Sequence, residues 1–324
     1  MLRRIIAYIK KCHEYLSAIH REDGLSMPFL WLDSIWAFFV YGCTIRHYRY
    51  GHFYRLRHYE RKKVFTTRKF FIFIAATNSK SSVPMLEDKE KFNAYFKQFV
   101  HRKWMDSNSM TLDGFIKLWK ECDRLIVKPL AGTEGNGIFI IDCNQLSDLN
   151  LQSQFEELKD QNVIIEEVVK QHPDMCFNSK AVNTIRAMSL MDKNTGEVTV
   201  LKTVIRVGAA NAIVDNFHQG GCVYDVDLKT GRICSNGIST NGEAKIFHPG
   251  TDICMLGYQI PNWDKLINGC VQAHKLLPEC RYIAWDIAIT ENDIELIEGN
   301  HNGDYDMFEF VGKGLWWPIL KKYI

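Results

Sequence analysis

The first part of the chain alternates apolar and basic residues at helical spacing. Over residues 2–20 the apolar positions recur every three or four residues with Lys and Arg between them, which predicts an amphipathic helix. The aromatic run that follows, 29–45, contains Asp33 and is shorter than the roughly 20 apolar residues that span a bilayer. We therefore expect no transmembrane helix here, but either a core helix or a helix lying in the membrane interface.

Further along, the pattern changes from helical to strand-like. The apolar run 70–76 predicts a buried strand, whereas 87–100 and 112–122 have helical spacing. From Leu125 onward, short apolar runs alternate with Gly, Asn and Asp turns, as strands do, and a helical pattern at 267–277 interrupts them. The chain is predicted to be α+β, with a helical region ahead of interleaved, sheet-rich lobes.

Charge is distributed unevenly along the chain. Residues 1–70 contain 14 Lys and Arg against 5 Asp and Glu, although the whole chain has 40 against 38. A basic segment is typical of a contact with anionic lipid, of nucleic-acid binding, or of a solvated helical face. Because the rest of the chain is acidic, we expect no nucleic-acid partner. Peripheral contact of 1–70 with a membrane or a lipid-linked glycan stays open.

The cysteines and the N-terminus carry no mark of metal binding or of secretion, and we expect a cytoplasmic protein. The ten cysteines are scattered, with no Cys-x-x-Cys pair and no zinc-like spacing, so we expect free thiols. No stretch joins a basic head, an uninterrupted apolar run and a small-residue cleavage site, so we expect no signal peptide. If the basic segment binds lipid, the location is the inner face of a membrane.

A glycine-rich hairpin spans 125–142, with the sequence LIVKPLAGTEGNGIFIID. Gly132, Gly135 and Gly137 allow backbone N–H groups to close around phosphate oxygens, and Lys128 on the preceding strand can reach the same phosphates. A Walker A loop is excluded because its lysine follows the glycines. A tight turn that needs positive φ explains an isolated glycine hairpin as well, so both interpretations stay open.

A second hairpin, 282–304, is predicted to oppose two acids. Centring its turn places Asp286 opposite Glu298, with Asn300 on the same face. Opposed carboxylates are destabilising unless a cation lies between them, and two carboxylates with an amide oxygen suit Mg²⁺. Solvated surface acids are the alternative, but apolar neighbours such as Trp285 favour a covered sheet.

A third hairpin, from 183–191 and 197–208, is predicted to gather cations. Lys202 and Arg206 are four apart and share a face, and the predicted turn brings Arg186 close to Lys202. Three cations suit a triphosphate, and a guanidinium can stabilise charge on a transferred phosphoryl group. A basic surface paired with nearby acids is the alternative, and we favour it for Lys202 taken alone.

The ordered set of these stretches resembles the ATP-grasp enzymes, and within them the sugar-transfer-associated ATP-grasp family, found with polysaccharide biosynthesis. The resemblance covers most of the chain and rests on the DK of EDKEKF, KPLAGTEGNGI, IIEEVV, VNTIRAMS, VIRVG followed by VDNFHQGG, HPGTD, WDIAI and LIEGNHNGD. It implies two α/β subdomains that grip ATP, with Mg²⁺. The implied regions are a helical basic N-terminal region (1–70), a pre-ATP-grasp region (71–124), a lid subdomain (125–170) and a C-terminal catalytic subdomain (171–324).

The resemblance also implies roles for individual residues. Lys89 and Lys128 match the lysines that contact the nucleotide phosphates, and Arg206 matches the arginine that supports phosphoryl transfer. The other matched sets are the phosphate-covering loop (Gly132, Gly135, Gly137), the adenine hinge (Glu166, Glu167, Val168, Val169), the metal ligands (Asp286, Glu298, Asn300) and, less closely, a loop near the acceptor pocket (Asp215, Asn216, His218, Gly220, Gly221).

The reaction implied by the resemblance joins a small-molecule or glycan carboxylate to an amine. The carboxylate attacks the γ-phosphate of ATP, giving an acyl phosphate and ADP, and the amine then displaces phosphate. Two alternatives stay open: an ATP-grasp kinase that phosphorylates a hydroxyl, and a non-catalytic nucleotide-binding scaffold at a membrane.

Overall fold

In the computed structural model, the chain divides into two units. The structure describes residues 2–130, 137–144, 148–177, 181–208, 221–239, 242–303, 305–310 and 314–324. The first unit contains Met1–Thr77 and Asp304–Ile324, and the second contains Asn78–Gly303. The helical region predicted over 1–70 therefore extends to Thr77 and also takes in the C-terminal end of the chain.

The first unit is helical throughout its described residues. Its N-terminal segments are α1 (Leu2–Asp23), α2 (Met27–Trp36), a π-helix (Ala37–Tyr41), α3 (Ile45–Tyr50), a 3-10 turn (Phe53–Arg55), α4 (His58–Arg61) and α5 (Thr67–Thr77). Short helical segments at Met307–Phe310, Trp317–Leu320 and Lys321–Tyr323 complete it. Its core joins the buried side of α1 to α2 and the π-helix, with Leu16, Leu30 and Tyr48 fully buried.

The strand predicted at 70–76 is wrong, because these residues form part of α5. Phe70, Phe73 and Thr77 are buried at helical spacing, while Phe71 and Ile72 are exposed. A continuous apolar run fits a buried strand and a buried helix equally well, and here the 3.6-residue period decides which side chains are covered.

The aromatic run at 29–45 forms α2 and the π-helix. No helix among the described residues combines the length and the apolar character needed to cross a membrane.

The second unit contains a small antiparallel sheet covered by helices on one face. After α6 (Val83–Glu87) and α7 (Lys89–Tyr95), its strands run in the order β1-β4-β2-β3. The elements are β1 (Trp104–Asp106), α8 (Leu112–Glu121), β2 (Arg124–Pro129), β3 (Phe139–Asp142), α9 (Asp148–Leu158) and β4 (Val163–Glu167). Apolar side chains of α8 and α9 pack on this sheet, which also contains β1, while the lid subdomain over 125–170 stays a prediction.

A seven-stranded antiparallel sheet forms the rest of the second unit. Its order is β11-β10-β5-β6-β7-β8-β9. The elements are β5 (Thr184–Met191), β6 (Val198–Val207), β7 (Cys222–Val226), β8 (Gly237–Ser239), β9 (Ala244–Lys245), α10 (Trp263–Lys275), β10 (Tyr282–Ile289) and β11 (Ile294–Asn300). Helix α10 and the apolar face of this sheet share one core. All ten cysteines are free, as predicted.

Both predicted hairpins of this sheet are confirmed, and each contains a bulge, which lies at Leu201 of β6 in the first hairpin. Strands β5 and β6 pair, as do β10 and β11. In the second hairpin Asp286 pairs with Glu298 but the next residue, Ile287, pairs with Leu296. Ile297 is therefore an extra residue in β11, which shifts the register by one.

Candidate functional site

One face of the large sheet, on the side away from α10, carries a row of mostly charged side chains. The register pairs Glu298 with Asp286, Asp286 with Arg186, Arg186 with Val204, and Val204 with Asp225. Directly paired residues project to the same face of a sheet, so these five residues form one row across β11, β10, β5, β6 and β7. The predicted opposition of the two acids is confirmed.

Asp286 is buried and binds two guanidinium groups. Its Oδ2 accepts from Arg206 Nη1 at 2.8 Å and from Arg186 Nη2 at 3.0 Å, and its Oδ1 accepts from Arg186 Nε. Burial favours the neutral acid, but the two arginines outweigh it and hold the pKa of Asp286 below its ordinary value. Two of the three predicted cations therefore meet on this carboxylate.

Glu298 and Asn300 lie beside Asp286 and complete a set of oxygen donors. Glu298 Oε1 accepts from Asn300 Nδ2 at 3.0 Å. Burial and the neighbouring charge of Asp286 raise the pKa of Glu298, and Arg186 opposes this shift only in part. The described parts of the chain contain no group of three His, Cys, Asp or Glu side chains suited to a metal, so any third side-chain donor here is the amide of Asn300.

The predicted position of Lys202 needs a correction. Arg186 pairs with Val204, two residues along from the predicted partner Lys202, and Lys202 pairs with Met188 instead. A shift of two residues keeps the predicted face, because side chains alternate with a period of two. Lys202 is buried, and its Nζ lies 3.0 Å from Oδ1 of Asp225. This ion pair matches the alternative of a base paired with a nearby acid.

Two lysines from other elements approach the same region. Lys128 lies on β2, on the face of the small sheet away from α8 and α9. Lys89 begins α7, and its Nζ donates to the carbonyl of Leu130 at 3.3 Å. Burial lowers the pKa of Lys89, Glu298 opposes this shift, and Lys128 adds to it. These interactions place the Lys89 ammonium near both the second lysine and the acid of the large sheet.

A buried ion network that the sequence did not predict surrounds Lys128. Its ammonium donates to Glu166 Oε2, while Glu166 Oε1 accepts from Asn93 at 2.7 Å and from Arg102 Nε at 3.0 Å. Arg102 also donates from Nη1 to Glu295 Oε1 at 2.8 Å. Burial disfavours ionisation of Glu166, but Arg102 and Lys128 hold its pKa far below the usual range. The network links the small sheet to β11 of the large sheet.

The bulge in β11 explains how one strand serves both the network and the acid row. In a regular strand, residues three apart project to opposite faces. Here Glu295 pairs with Ala288 and Glu298 pairs with Asp286, and these two partners are two residues apart on β10. Both glutamates therefore project to the same face, because the extra residue lies between them.

The predicted adenine hinge has two parts with different contacts. The side chain of Glu166 belongs to the ion network, and its carboxylate is therefore engaged within the protein. The N–H groups of Glu167 and Val168 donate to backbone carbonyls of adjacent segments at 2.8 and 3.0 Å. Among the described residues, Val169 N–H has no backbone acceptor. The adenine contact stays a prediction, and the Val169 N–H is the donor that we assign to it.

Several predicted residues lie outside the described residues: Gly132, Gly135, Asp215, Asn216, His218 and Gly220. Gly137, at the end of the glycine-rich loop, has a φ of 75°, which favours glycine. Gly221 is buried directly before β7. The phosphate-covering loop and the acceptor loop therefore stay predictions.

The described side chains bring three kinds of group together in the second unit. They are two ammonium groups, a set of carboxylate and amide oxygens, and guanidinium groups that contact the acid row. Ammonium and guanidinium groups bind phosphates, and hard oxygen donors bind Mg²⁺. The arrangement suits a nucleoside triphosphate whose terminal phosphoryl group is transferred.

Comparison with known proteins gives one family. The family described as sugar-transfer associated ATP-grasp matches residues 71–321. None of the curated proteins matches this chain.

Similar solved structures include three ligases. The ATP-grasp ligase PsnB, complexed with a phosphomimetic variant of minimal precursor, Mg and ADP, is 14% identical, with a TM-score of 0.43 over 76% of this chain and 60% of that chain. N5-carboxyaminoimidazole ribonucleotide synthetase from Thermotoga maritima is 10% identical, with a TM-score of 0.42 over 72% and 46%. D-alanine–D-alanine ligase from Bacillus anthracis, complexed with ATP, is 14% identical, with a TM-score of 0.39 over 70% and 57%. The chain thus spans less than two thirds of each of these three relatives.

Proposed function

The chain belongs to the sugar-transfer associated ATP-grasp family, and from this premise we propose that it is an ATP- and Mg²⁺-dependent ligase that forms an amide through an acyl phosphate with release of ADP. Membership of the family confirms the ATP-grasp fold predicted from the sequence. The reaction, the cofactors and the substrates are our proposal.

The approach of Lys89 to both Lys128 and Glu298 carries the proposal. Burial lowers the pKa of the half-buried Lys89, and the ammonium of the half-buried Lys128 lowers it further. A polyanion between the two ammonium groups would compensate their charge, and Glu298, whose pKa is raised by burial and by Asp286, stands beside Lys89. A triphosphate held by the lysines, with its metal on the acid side, compensates both charges at once.

The donor set fits Mg²⁺, which takes one or two carboxylates and completes its shell with phosphate oxygens and water. Glu298 and Asn300 would hold the ion together with Asp286, whose charge the two arginines already share. When bound, Mg²⁺ would neutralise charge on the transferred phosphoryl group.

The protein's side chains position the reactants and stabilise charge. Lys89 and Lys128 bind phosphate oxygens, and the N–H of Val169 orients the base. Arg206 lies beside the donor set, where a guanidinium stabilises charge that develops on the phosphoryl group. A substrate carboxylate oxygen attacks the γ-phosphorus, the bond to the β-phosphate oxygen breaks, and ADP leaves. The amine nitrogen then attacks the acyl carbon, loses a proton and expels phosphate.

The substrates we propose are a carboxylate and an amine, of which at least one is carried by a glycan. The family description, which associates these proteins with sugar transfer, supports this choice. A glycan on a lipid carrier would bring the reaction to a membrane, with the basic first unit near the lipid.

The first experiment measures thermal stability against ATP concentration, with and without Mg²⁺. A ligand that binds the folded state raises stability with concentration, by about 2.7 kcal/mol at one hundred times Kd. We expect an Mg²⁺-dependent rise for the wild type that Glu298→Gln loses. Glu291→Gln, an exposed acid in the turn of the same hairpin, is the matched control and should behave like the wild type. No response in the wild type would overturn the ATP site.

Reaction products then separate ligase from kinase. A ligase releases ADP together with inorganic phosphate, and it needs both a carboxylate and an amine. A kinase leaves phosphate on the acceptor and releases ADP without inorganic phosphate. Carboxylate-by-amine mixtures assayed for ADP and phosphate in parallel therefore decide between them. Release of ADP alone with a hydroxyl acceptor would replace the ligase proposal with the kinase alternative.

A further inference from the structure

Helices of the first unit bury some of their large apolar side chains in a core and expose others to solvent. Phe39 and Leu32 are 69% and 72% exposed, and Phe71 is 65% exposed. We call these side chains and their exposed neighbours the apolar surface: Ile5, Ile6, Ile9, Leu32, Ile35, Trp36, Phe38, Phe39, Val40, Phe71 and Ile72. Contiguous apolar patches on soluble proteins mark contacts with another molecule or a membrane.

Helix α1 contributes a stripe that is buried at one end and exposed at the other. Ile5, Ile9, Cys12, Leu16 and Ile19 recur every three or four residues and lie on one side of the helix. The last three are buried in the core of the unit, whereas every side chain from residue 3 to residue 11 is exposed. The N-terminal half of α1 therefore extends beyond the core with its apolar side uncovered.

The opposite side of the same half-helix is basic. Arg3, Arg4, Lys10 and Lys11 are exposed there, and residues 2–13 contain no acid. A helix with Ile on one side and Lys and Arg on the other lies in the plane of a lipid interface, with its apolar side among the acyl chains and its bases at the headgroups.

The π-helix holds three exposed apolar side chains on a rigid turn. The Arg68 guanidinium donates to the carbonyls of Phe38, Phe39 and Val40 at 3.2, 2.8 and 3.4 Å. The last carbonyls of a helix lack partners within the helix, and an unsatisfied carbonyl is costly in an apolar medium. Of the three, the Phe38 carbonyl also accepts from the Gly42 N–H at 3.0 Å. Arg68 thus donates to the backbone of a segment with three exposed apolar side chains, and it places a cation beside them.

These elements are neighbours in the fold. Arg68 packs against Gly42, which directly follows the π-helix, and Phe71 and Ile72 lie one turn further along α5 on the same side. Tyr8 of α1 lies within electrostatic reach of Cys43, next to the same turn. The exposed parts of α1, the π-helix and α5 therefore adjoin one another.

We propose that this apolar surface docks the protein on the surface of an anionic membrane, with the π-helix and the N-terminal half of α1 inserted at the level of the headgroups. Charge complementarity selects this occupant, because the bases around the surface match anionic lipid and would repel a second copy of the same basic unit. The proposal uses no residue of the ATP site, and it stands or falls separately from the ligase activity.

Vesicle co-sedimentation of the full chain tests the proposal. We expect the protein to sediment with vesicles of phosphatidylcholine and phosphatidylglycerol, and far less with phosphatidylcholine alone. Lys10→Gln with Lys11→Gln should lower the partition coefficient on anionic vesicles about thirtyfold, since each base near such a surface contributes about 1 kcal/mol. Lys193→Gln with Lys229→Gln, in exposed turns of the second unit, is the matched control.

An aromatic pair separates insertion from simple charge attraction. Phe38→Ser with Phe39→Ser should abolish sedimentation even at low salt, whereas Phe247→Ser, an exposed aromatic of the second unit, should leave it unchanged. An unchanged far-UV circular dichroism spectrum and urea unfolding midpoint of each variant show that it is folded. Absence of vesicle binding by the wild type, or binding that both variants retain, would overturn the proposal. Concentration-dependent self-association that the Phe38 and Phe39 changes abolish, without vesicle binding, would also overturn it in favour of a second copy.

Discussion

Replacing Arg102 alone should destabilise the protein more than replacing Arg102 together with the two acids that it binds. Arg102→Met leaves two buried acids, Glu166 and Glu295, without the guanidinium that joins them. Removing one partner of a buried pair costs about 3–5 kcal/mol, because it leaves uncompensated charge. Glu166 keeps Lys128 and Asn93, and Glu295 keeps backbone N–H donors, so we expect the lower half of that range.

The sharpest form of this prediction is a triple substitution. Arg102→Met with Glu166→Gln and Glu295→Gln removes the stranded charges as well, so it should cost less free energy of unfolding than Arg102→Met alone. Urea unfolding followed by circular dichroism measures both. The deficit of Arg102→Met should persist at high salt, because buried pairs are screened far less than exposed ones.

A neighbouring residue provides the control for this measurement. Lys103 forms a 3.0 Å ion pair with Glu121 at the surface, and Lys103→Met should leave the unfolding midpoint unchanged. If Arg102→Met costs less than about 1 kcal/mol, the buried acids have other compensation and the reasoning fails. A triple variant that is less stable than Arg102→Met would refute it as well.

Three other perturbations follow from burial and close packing. Burial lowers the pKa of His274 to about 4, while the unfolded residue titrates near 6.5. The free energy of unfolding should therefore fall as the pH is lowered from 6.5 to 4, by up to about 1.4 kcal/mol per pH unit. His274→Gln should flatten that slope, and an unchanged slope would contradict the prediction. Burial lowers the pKa of Lys69 to about 8, although Glu309 opposes this shift. The free energy of unfolding of the wild type relative to Lys69→Met should therefore rise as the pH increases from 8 to 10.5. Urea unfolding at both pH values measures this difference, and a constant difference would contradict the prediction. A Cβ on Gly303 would lie 2.4 Å from Ala284 Cβ, so Gly303→Ala should lower the free energy of unfolding by about 1–3 kcal/mol and weaken ATP-dependent stabilisation. A Gly303→Ala variant that ATP stabilises as much as the wild type would contradict the second part.

The pairing of Asp286 with Glu298 could be predicted from the short turn, whereas the bulge at Ile297, which shifts the pairs nearer the turn by one residue, could not. Asp286 and Glu298 are close in sequence, and the short turn between their strands leaves few ways to pair them. Local pattern also predicted α1 and α8. It failed at 70–76, where a continuous apolar run gives no period from which to choose between strand and helix.

Arg102 and Glu295 were missed because their significance comes from distant pairing. They are 193 residues apart, and nothing near either one marks it as buried. A single arginine after a helical segment is ordinarily solvated. Regular alternation would also turn Glu295 away from Glu298, so only the bulge reveals that the two share a face. Burial of an ion network depends on how the sheets meet, and local sequence does not encode it.

The bulge in β11 also determines which sequence changes this strand can tolerate in evolution. Substitution of Leu296 or Ile297 by another apolar residue preserves the spacing between the two glutamates, and with it their common face. Deletion of one of these residues would remove the bulge, and regular alternation alone would keep both glutamates of the resulting Glu-x-Glu segment on one face. Regular pairing without such a deletion would instead turn one of the two glutamates toward the apolar core. Functional variants should therefore space these glutamates three apart with a bulge or two apart without one.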